Sequence, residues 1–186
     1  MKPEPTNSAV AFATDLGWIA FEHDGRKIFR LTFGHEYKAQ ALKALGYKSA
    51  ASGKPEGKVA NWIDLLTRYA QGEQVRIDKI PVADQTKSEF EIAVRKACRG
   101  IGYGEVLTYG ELAAVVGSPA AARAVGNVMR KNPTPLLVPC HRVVGSNGLG
   151  GFSAPQGLRM KEHLLVMELG DAQCECRACA AAAATV

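Results

Sequence analysis

Residues 108–131 decide the fold, and they read TYGELAAVVGSPAAARAVGNVMRK. Thr108 and Glu111 form a capping box, in which each side chain accepts a hydrogen bond from the other residue's backbone amide at the start of a helix. Gly117 is placed to end that helix, and Ser118-Pro119 supply the cap and first position of another. The stretch therefore predicts a helix-turn-helix pair, whose second helix runs from Pro119 to about Lys131.

The predicted second helix carries few long side chains. Its central residues include Ala120, Ala121, Ala122, Arg123, Ala124 and Gly126, so that one arginine stands among small residues. Alanine favours helix and packs closely against a neighbouring element, which is one interpretation of the pattern. The other is a helix that lies close against a binding partner, and this segment alone leaves both open.

The first 80 residues carry strand and helix signals without a chemical motif. Segments rich in β-branched and aromatic residues, separated by turn residues, predict an antiparallel meander. They are Val10–Thr14, Trp18–Phe21 and Lys27–Phe33. A helix is expected at Tyr37–Leu45, and apolar residues at helical spacing between Val59 and Ala70 predict a second, which Gly72 would end.

Pro81 and a polar run interrupt this pattern, which predicts a linker between Ile80 and Lys87. Beyond it, an apolar helical face extends from Phe90 to Ile101. The 186 residues suffice for one domain or two small ones, and 47% hydrophobic and 22% charged residues are typical of a folded globular chain.

Basic residues are concentrated in the second half of the chain. The whole chain has a net charge of +5, whereas residues 92–161 contain nine lysines and arginines against Glu105 and Glu111, a local charge of +7. Such an excess indicates an anionic partner such as nucleic acid, although a solvated basic face is its commoner meaning.

No apolar stretch approaches the roughly 20 residues of a membrane helix, and the N-terminus lacks the apolar core of a signal peptide, so we expect a cytoplasmic protein. The five cysteines are an odd number, and Cys174, Cys176 and Cys179 crowd into the last 13 residues. This pattern does not indicate a disulfide framework, and we expect free thiols.

The chemistry is expected at Cys140 and His141, which follow a short apolar run suited to a buried strand, Leu136 to Val138. A cysteine of ordinary pKa is only about 3% thiolate at pH 7, so a nucleophilic one needs a base or a positive neighbour. His141 and Arg142 are candidates. Adjacent residues of an extended chain point to opposite faces, so we expect a water to bridge the thiol and the imidazole. An isolated pair of this kind is more often a small buried thiol beside a core histidine.

The surrounding motifs favour the functional interpretation. The run PCHRV from Pro139 to Val143 follows Arg123-Ala124-Val125-Gly126 and Asn132-Pro133, and a glycine-rich loop comes after it. Together these residues resemble the O6-alkylguanine-DNA alkyltransferases, or methylated-DNA–protein-cysteine methyltransferases. The resemblance is strong from about Phe90 to Leu169 and weaker before it.

The resemblance implies a role for each matching residue of the site. Cys140 is the expected nucleophile and alkyl acceptor, and His141 takes its proton through a water. Glu168, in a helix expected from Leu158 to Leu169, orients and polarises His141. Asn132 links the predicted second helix to the Cys140 loop.

Contacts with DNA are implied mainly for the predicted second helix. Because O6 of guanine lies inside the duplex, the nucleotide must be flipped out, and Arg123 is expected to fill the gap. Tyr109 is expected to donate to guanine N3 and to crowd the DNA backbone. The other DNA contacts expected are Ala121, Ala122, Gly126 and Arg130, mostly small residues that fit a minor groove. Contacts with the guanine are expected from Val143, Ser153 and Pro135.

The implied fold is α+β, with a ribonuclease-H-like N-terminal domain of antiparallel sheet and helices at residues 1–84. Residues 85–170 form a helical domain with a winged helix-turn-helix-like motif and an active-site loop, and residues 171–186 a flexible tail rich in cysteine and alanine. The implied activity is an irreversible, single-turnover transfer from O6-alkylguanine in double-stranded DNA to Cys140, with O4-alkylthymine left open as a second substrate. We expect a monomer that needs no metal, cofactor or obligate protein partner.

Two other functions are alternatives at this point. A non-catalytic binder of alkylation damage would lack the acceptor cysteine, and Cys140 argues against it. A helix-turn-helix transcription regulator would present long polar side chains to the major groove, whereas residues 119–131 offer alanines.

Overall fold

The computed structural model describes residues 7–169, and its N-terminal part contains the predicted antiparallel meander. Strands β1 (Ser8–Thr14), β2 (Gly17–His23) and β3 (Ile28–His35) pair in chain order. The turn between β1 and β2 requires Gly17, because its φ is +87° and a Cβ there would lie 2.8 Å from the carbonyl oxygen of His35.

Two helices follow the sheet, as the helical spacing predicts. They are α1 (Lys38–Ala44) and α2 (Gly57–Ala70). The apolar face of α2 buries Trp62, Leu66 and Tyr69. The ring of Trp62 lies 6.2 Å from that of Phe21 in β2, between centroids, so α2 and the sheet share one core.

The segment predicted as a linker, Ile80 to Lys87, pairs with the sheet over residues 81–83. After a short 3-10 helix (Ile77–Lys79), the amide of Ile28 donates to the carbonyl of Pro81, and the amide of Ala83 donates to the carbonyl of Ile28, each at 2.9 Å. An edge strand has unpaired backbone groups that such a segment can satisfy. The chain divides into two compact units between Gln85 and Thr86.

The second unit is mainly helical. Its elements are α3 (Glu89–Arg99), β4 (Leu107–Thr108), α4 (Tyr109–Val115), α5 (Ala122–Arg130), a 3-10 helix (Cys140–Arg142), β5 (Val143–Val144) and α6 (Leu158–Leu169). The short strands β4 and β5 pair in parallel. Helices α3, α4 and α5 share a core that includes Val94, Leu112 and Val125. The bounds of α6 are those predicted, and among residues 7–169 no helix is long and apolar enough to cross a membrane.

The predicted capping box begins α4. The amide of Glu111 donates to the hydroxyl of Thr108 at 3.1 Å, and the amide of Thr108 donates to the Glu111 carboxylate at 2.7 Å. At the other end Gly117 has φ +74°. The amide of Gly117 donates to the carbonyl of Ala114, and the amide of Ser118 donates to the carbonyl of Ala113. These bonds form a Schellman motif, so the predicted stop is confirmed.

The second helix of the pair starts later than predicted, at Ala122 instead of Pro119. The amide of Ser118 takes part in the Schellman motif, and its carbonyl accepts from the amide of Ala121 at 2.8 Å. Residues 118–121 therefore form a turn between the helices, and α5 begins after this turn without a side-chain cap.

Two segments predicted as extended are turns. Leu136–Val138 is buried but is not a strand, since Leu136 has φ +69° and the amide of Val138 donates to the carbonyl of Thr134 at 2.9 Å. A short apolar run shows that a segment is buried without fixing its conformation. Cys140 and His141 likewise begin a 3-10 helix. The predicted tail, residues 171–186, lies outside the described residues.

Candidate active site

Cys140 lies at the start of the 3-10 helix, in the core of the second unit. Burial raises the pKa of its thiol, whereas a hydrogen bond from the Asn132 side chain, the charge of Lys161 and the backbone amide of His141 lower it. Burial prevails, so the resting group is a thiol. A nucleophilic Cys140 therefore requires a nearby base.

The neighbouring residue is a fully buried histidine. Nε2 of His141 lies 2.9 Å from Oε1 of Glu168 in α6. Burial lowers the pKa of His141; Glu168 opposes this effect, while Arg142 and Lys161 reinforce it, and the result lies below the ordinary value. The ring is therefore neutral at pH 7. In the tautomer that donates from Nε2 to the carboxylate, Nδ1 is the atom that accepts a proton.

Glu168 is also bound by Arg142, which the sequence suggested only as a positive neighbour of the thiol. Nε of Arg142 donates to Oε2 at 2.7 Å, Nη2 donates to Oε1 at 2.8 Å, and Nη1 donates to the carbonyl of Ile101 at 2.7 Å. Burial would raise the pKa of Glu168, but His141 and Arg142 hold it well below its usual range. Glu168 is therefore an ionised carboxylate that binds both His141 and Arg142.

The sequence did contain a signal for this pairing. Arg142 stands in an apolar run, between Leu136-Leu137-Val138 and Val143-Val144, and an arginine that such a run buries needs a partner. Glu168 stands among apolar residues of the expected helix Leu158 to Leu169, so it was a candidate for that partner as well as for His141.

Lys161 is a second residue of the site that sequence reasoning missed. It lies seven residues before Glu168 in α6, is 0% exposed, and donates from Nζ to the carbonyls of Val143 at 2.6 Å and Gly151 at 3.4 Å. Burial lowers its pKa to about 8, and the neighbouring thiols of Cys140 and Cys98 oppose that shift. At pH 7 the ammonium remains protonated and ties together two segments of the site.

We expect the contribution of Lys161 to stability to rise with pH. Its folded pKa of about 8 lies below the ordinary value of an unfolded lysine, about 10.4, so the unfolded chain binds more protons between these values. The free energy of unfolding then gains on the order of 3 kcal/mol as pH rises through that window. Urea unfolding of the wild type and Lys161→Met measures the difference between them.

Lys131→Met is the matched control, because Lys131 is exposed. The control removes one lysine without removing a buried charge. An advantage of the wild type over Lys161→Met that stays flat or declines between pH 8 and 10.5 would contradict the burial of the Lys161 charge.

A groove of about 430 Å³ lies beside Tyr109. Its lining residues are Thr108, Tyr109, Gly110, Ala122, Arg123, Gly126, Gly145 and Ser146. Small residues leave room for the ring: a Cβ on Gly150 would lie 2.8 Å from it, and one on Gly126 would lie 3.9 Å away. Arg123 is exposed, so α5 presents one long basic side chain at a groove walled largely by small ones.

Tyr109 connects this groove to the buried site. The amide of Gly151 donates to its hydroxyl, and Nζ of Lys161 lies 5.9 Å from the centroid of its ring. Burial raises the pKa of Tyr109, so the phenol keeps its proton at neutral pH.

Asn132 joins the end of α5 to the segment that leads to Cys140. Its Nδ2 donates to the carbonyl of Val138 at 2.7 Å, and its Oδ1 accepts from the amide of Thr134 at 3.1 Å. With the bond from Asn132 to the thiol, this side chain fixes both the approach to Cys140 and the sulfur itself.

The other predicted contact residues are distributed more widely. Ser153 is exposed, and its hydroxyl donates to the carbonyl of Arg130 at 3.3 Å, at the exposed end of α5. Ala121 packs against the helical core and does not line the groove, unlike Ala122. Pro135 is half-buried in the turn before Leu136.

Within the described part of the chain, His, Cys, Asp and Glu side chains form no group of three or more that could hold a metal ion. Cys98 and Cys140 are free thiols there. The three cysteines of the predicted tail lie outside the described residues.

Comparison with known proteins gives consistent matches. Residues 89–170 match the family model of the 6-O-methylguanine DNA methyltransferase DNA-binding domain. A methylated-DNA–protein-cysteine methyltransferase of Metallosphaera sedula is 46% identical over 103 residues, which are 55% of this chain and 63% of that protein. One from Methanosarcina acetivorans is 37% identical over 153 residues, or 76% of this chain and 96% of the relative.

A solved structure agrees with the sequence matches. The crystal structure of Mycobacterium tuberculosis OGT in complex with DNA superposes with a TM-score of 0.68 at 30% identity, covering 87% of this chain and 92% of that one. The likeness therefore includes the N-terminal sheet as well as the helical unit.

Proposed function

Because the chain belongs to the methylated-DNA–protein-cysteine methyltransferase family, we propose that it repairs alkylated DNA by transferring the alkyl group from O6 of guanine to Cys140. The observation that carries this proposal is the buried thiol with an adjacent histidine, whose Nε2 lies 2.9 Å from the Glu168 carboxylate. A nucleophile, a base and a group that orients the base are the parts that an activated thiol needs.

The reaction begins with the thiol proton of Cys140. A water carries that proton to Nδ1 of His141, and the carboxylate of Glu168 stabilises the resulting imidazolium. The sulfur forms a bond to the alkyl carbon as the bond from that carbon to O6 breaks, and the electron pair stays on guanine. Tyr109 donates to N3 of the base, which limits the charge on the leaving guanine. The product thioether is not readily reversed, so each molecule acts once.

Helix α5 is the element that we assign to the minor groove of DNA. Ala122 and Gly126 have small side chains or none, so the surface of α5 beside Tyr109 can approach the floor of the groove. Arg123 enters the base stack when the alkylated nucleotide is flipped out. The excess of basic residues around it supports contacts with phosphates, which suit repair that does not depend on sequence. Ser153 and Val143 border the flipped base through their backbone groups.

The helix pair α4–α5 and the strands β4 and β5 then serve as a winged helix-turn-helix-like motif. The three-stranded unit serves as a ribonuclease-H-like scaffold, and the protein acts as a monomer. The alternative functions are less well supported: a non-catalytic binder does not need Cys140 and its base, and a regulator that reads the major groove does not use a helix of small residues.

The test is to incubate the protein with duplex DNA that contains one O6-methylguanine and to measure the mass of the intact protein. We expect each molecule to gain one methyl group in place of a proton, with the modified peptide containing Cys140 and the guanine restored. An unchanged mass with an intact lesion would reject the proposal. Repeating the assay with a larger O6 group and with O4-methylthymine defines the range of substrates.

We expect Arg123→Ala to slow repair of duplex DNA by about 10- to 100-fold, because filling the gap in the stack offsets part of the cost of flipping, a few kcal/mol. Transfer from free O6-benzylguanine should change by less than about threefold, since that substrate needs no flipping. Single-turnover rates on both substrates measure the contrast.

Arg159→Ala is the matched control for Arg123→Ala. Arg159 is an exposed arginine in α6, outside the groove, so its removal changes the net charge by the same amount. Equal losses on duplex DNA and on the free base would show that Arg123 does not act in flipping.

A further inference from the structure

We propose that Arg142 is a positioning residue of the alkyl transfer: it shares the Glu168 carboxylate with His141, so that Glu168 orients the imidazole without turning it into a permanent imidazolium. This inference rests on the proposed function, because it concerns the base that receives the thiol proton. It assigns a separate task to each of three consecutive residues, Cys140, His141 and Arg142.

The geometry shows how the carboxylate is divided. Oε1 of Glu168 accepts from both Nε2 of His141 and Nη2 of Arg142, while Oε2 accepts from Nε of Arg142 and, at 3.4 Å, from the amide of Gly104. The guanidinium thus makes a bidentate pair, the strongest form of contact with a carboxylate, and His141 takes a place on one of the same oxygens.

Arg142 is itself fixed by groups other than Glu168. Nη1 donates to the carbonyl of Ile101 at 2.7 Å, and the guanidinium carbon lies 5.9 Å from the centroid of the Tyr103 ring. A guanidinium held at several points keeps one orientation, so the carboxylate that it binds is also kept in one place. The position of His141 then follows from the position of the carboxylate.

The charges around His141 also affect its protonation. A carboxylate alone beside a buried imidazole favours the imidazolium, and a protonated ring cannot accept the proton of Cys140. The charged groups that act on His141 are Glu168 and Lys161 from α6 and Arg142 from its own 3-10 helix. Burial is the largest cause that lowers the pKa of His141; Glu168 raises this pKa, and both cations lower it further. Arg142 therefore counterbalances the group that it also holds in place.

The test compares Arg142→Met, which removes the charge, with Arg142→Lys, which keeps it but loses the bidentate geometry. Single-turnover alkyl transfer is measured from pH 5 to 9 for both variants and the wild type. The acid limb of the rate profile reports protonation of the base, and for Arg142→Met we expect this limb to move up by about one pH unit. The rate of Arg142→Met relative to wild type should then be about 10-fold lower below the limb than above it. For Arg142→Lys we expect a lower rate, by about 3- to 10-fold, with the limb in place.

A purely structural role predicts a different outcome. If Arg142→Met loses the same factor at every pH, or if its acid limb moves down, the proposal is wrong. A shift of the limb in Arg142→Lys as large as that in Arg142→Met would also overturn it, because the lysine retains the positive charge.

A measurement on the wild type keeps the proposal testable if Arg142→Met does not fold. The pKa of His141 can be followed by NMR of the ring nitrogens, and we expect a neutral ring at pH 7 with the proton on Nε2. An imidazolium at pH 7 would overturn the proposal. A wild type that accepts no methyl group at Cys140 would reject the proposed function instead, a result that the NMR titration of His141 does not depend on.

Discussion

We expect Cys140→Ser to bind DNA that contains O6-methylguanine and to leave the methyl group in place. A serine hydroxyl loses its proton far less readily than a thiol and is a weaker nucleophile, so transfer should fall by a factor on the order of 10³ or more. The fold should be retained, because serine is close to cysteine in size and can accept the bond that Asn132 gives to the sulfur. Intact-protein mass and thermal unfolding, measured on the same sample, separate loss of chemistry from loss of structure.

Cys98→Ala is the matched control for this variant. Cys98 is the other buried free thiol of the described chain, and it belongs to the same core as Cys140. Burial raises the pKa of Cys98 well above its usual range, so it is a poor nucleophile and its removal should leave methyl transfer intact. If the Cys140→Ser protein still accepted the methyl group, or if a folded Cys98→Ala protein did not, the acceptor would have been assigned to the wrong thiol.

The parts of the fold that sequence patterns predicted well are those fixed by local chemistry. The capping box at Thr108 and Glu111 and the glycine stop at Gly117 depend on residues within one turn of each other, and both are present. The three-stranded meander follows from turn residues between strand-like segments. Each cap, and each turn of the meander, is complete within about ten residues of sequence.

The predictions that failed depend on competition between neighbouring signals. Ser118-Pro119 is a good start for a helix, but Ser118 ends α4 with its amide and accepts from the amide of Ala121 in a turn, and α5 begins at Ala122. Leu136–Val138 is buried as its composition indicates, yet the turn that Asn132 and Thr134 support determines its conformation. Composition predicts burial more reliably than it predicts backbone shape.

The candidate site shows a similar division. Its nucleophile and base are adjacent in sequence and could be recognised there, whereas Lys161 and Glu168 of α6 lie 20 and 27 residues after His141. The bidentate pair of Arg142 with Glu168 joins two buried charged residues that are 26 positions apart, and Lys161 donates to backbone carbonyls of Val143 and Gly151 in the segments before α6. Sequence shows the unusual charges, but only the fold shows which partners satisfy them.

We expect Glu168→Gln to lower the single-turnover rate by about 10²- to 10⁴-fold at pH 7, because a neutral amide neither stabilises the imidazolium nor fixes the tautomer of His141. The glutamine side chain can also present its NH₂ to Nε2, which would place the ring proton on Nδ1 and remove the acceptor for the thiol proton. Rates are compared with those of Glu162→Gln, which changes an exposed carboxylate of the same helix.

Glu168→Gln should also destabilise the fold, because it leaves the buried guanidinium of Arg142 without its counter-charge, a change that costs about 3–5 kcal/mol. In the wild type the pKa of Glu168 lies below the ordinary value, so its stabilising effect is complete above about pH 4.3 and is lost as pH falls below that value. Urea unfolding should therefore show a difference between wild type and Glu168→Gln that is constant at neutral pH and shrinks in acid, while Glu162→Gln stays close to wild type. A folded Glu168→Gln protein that transfers methyl within about threefold of the wild-type rate would mean that His141 does not depend on this carboxylate, since loss of such an orienting group ordinarily costs far more.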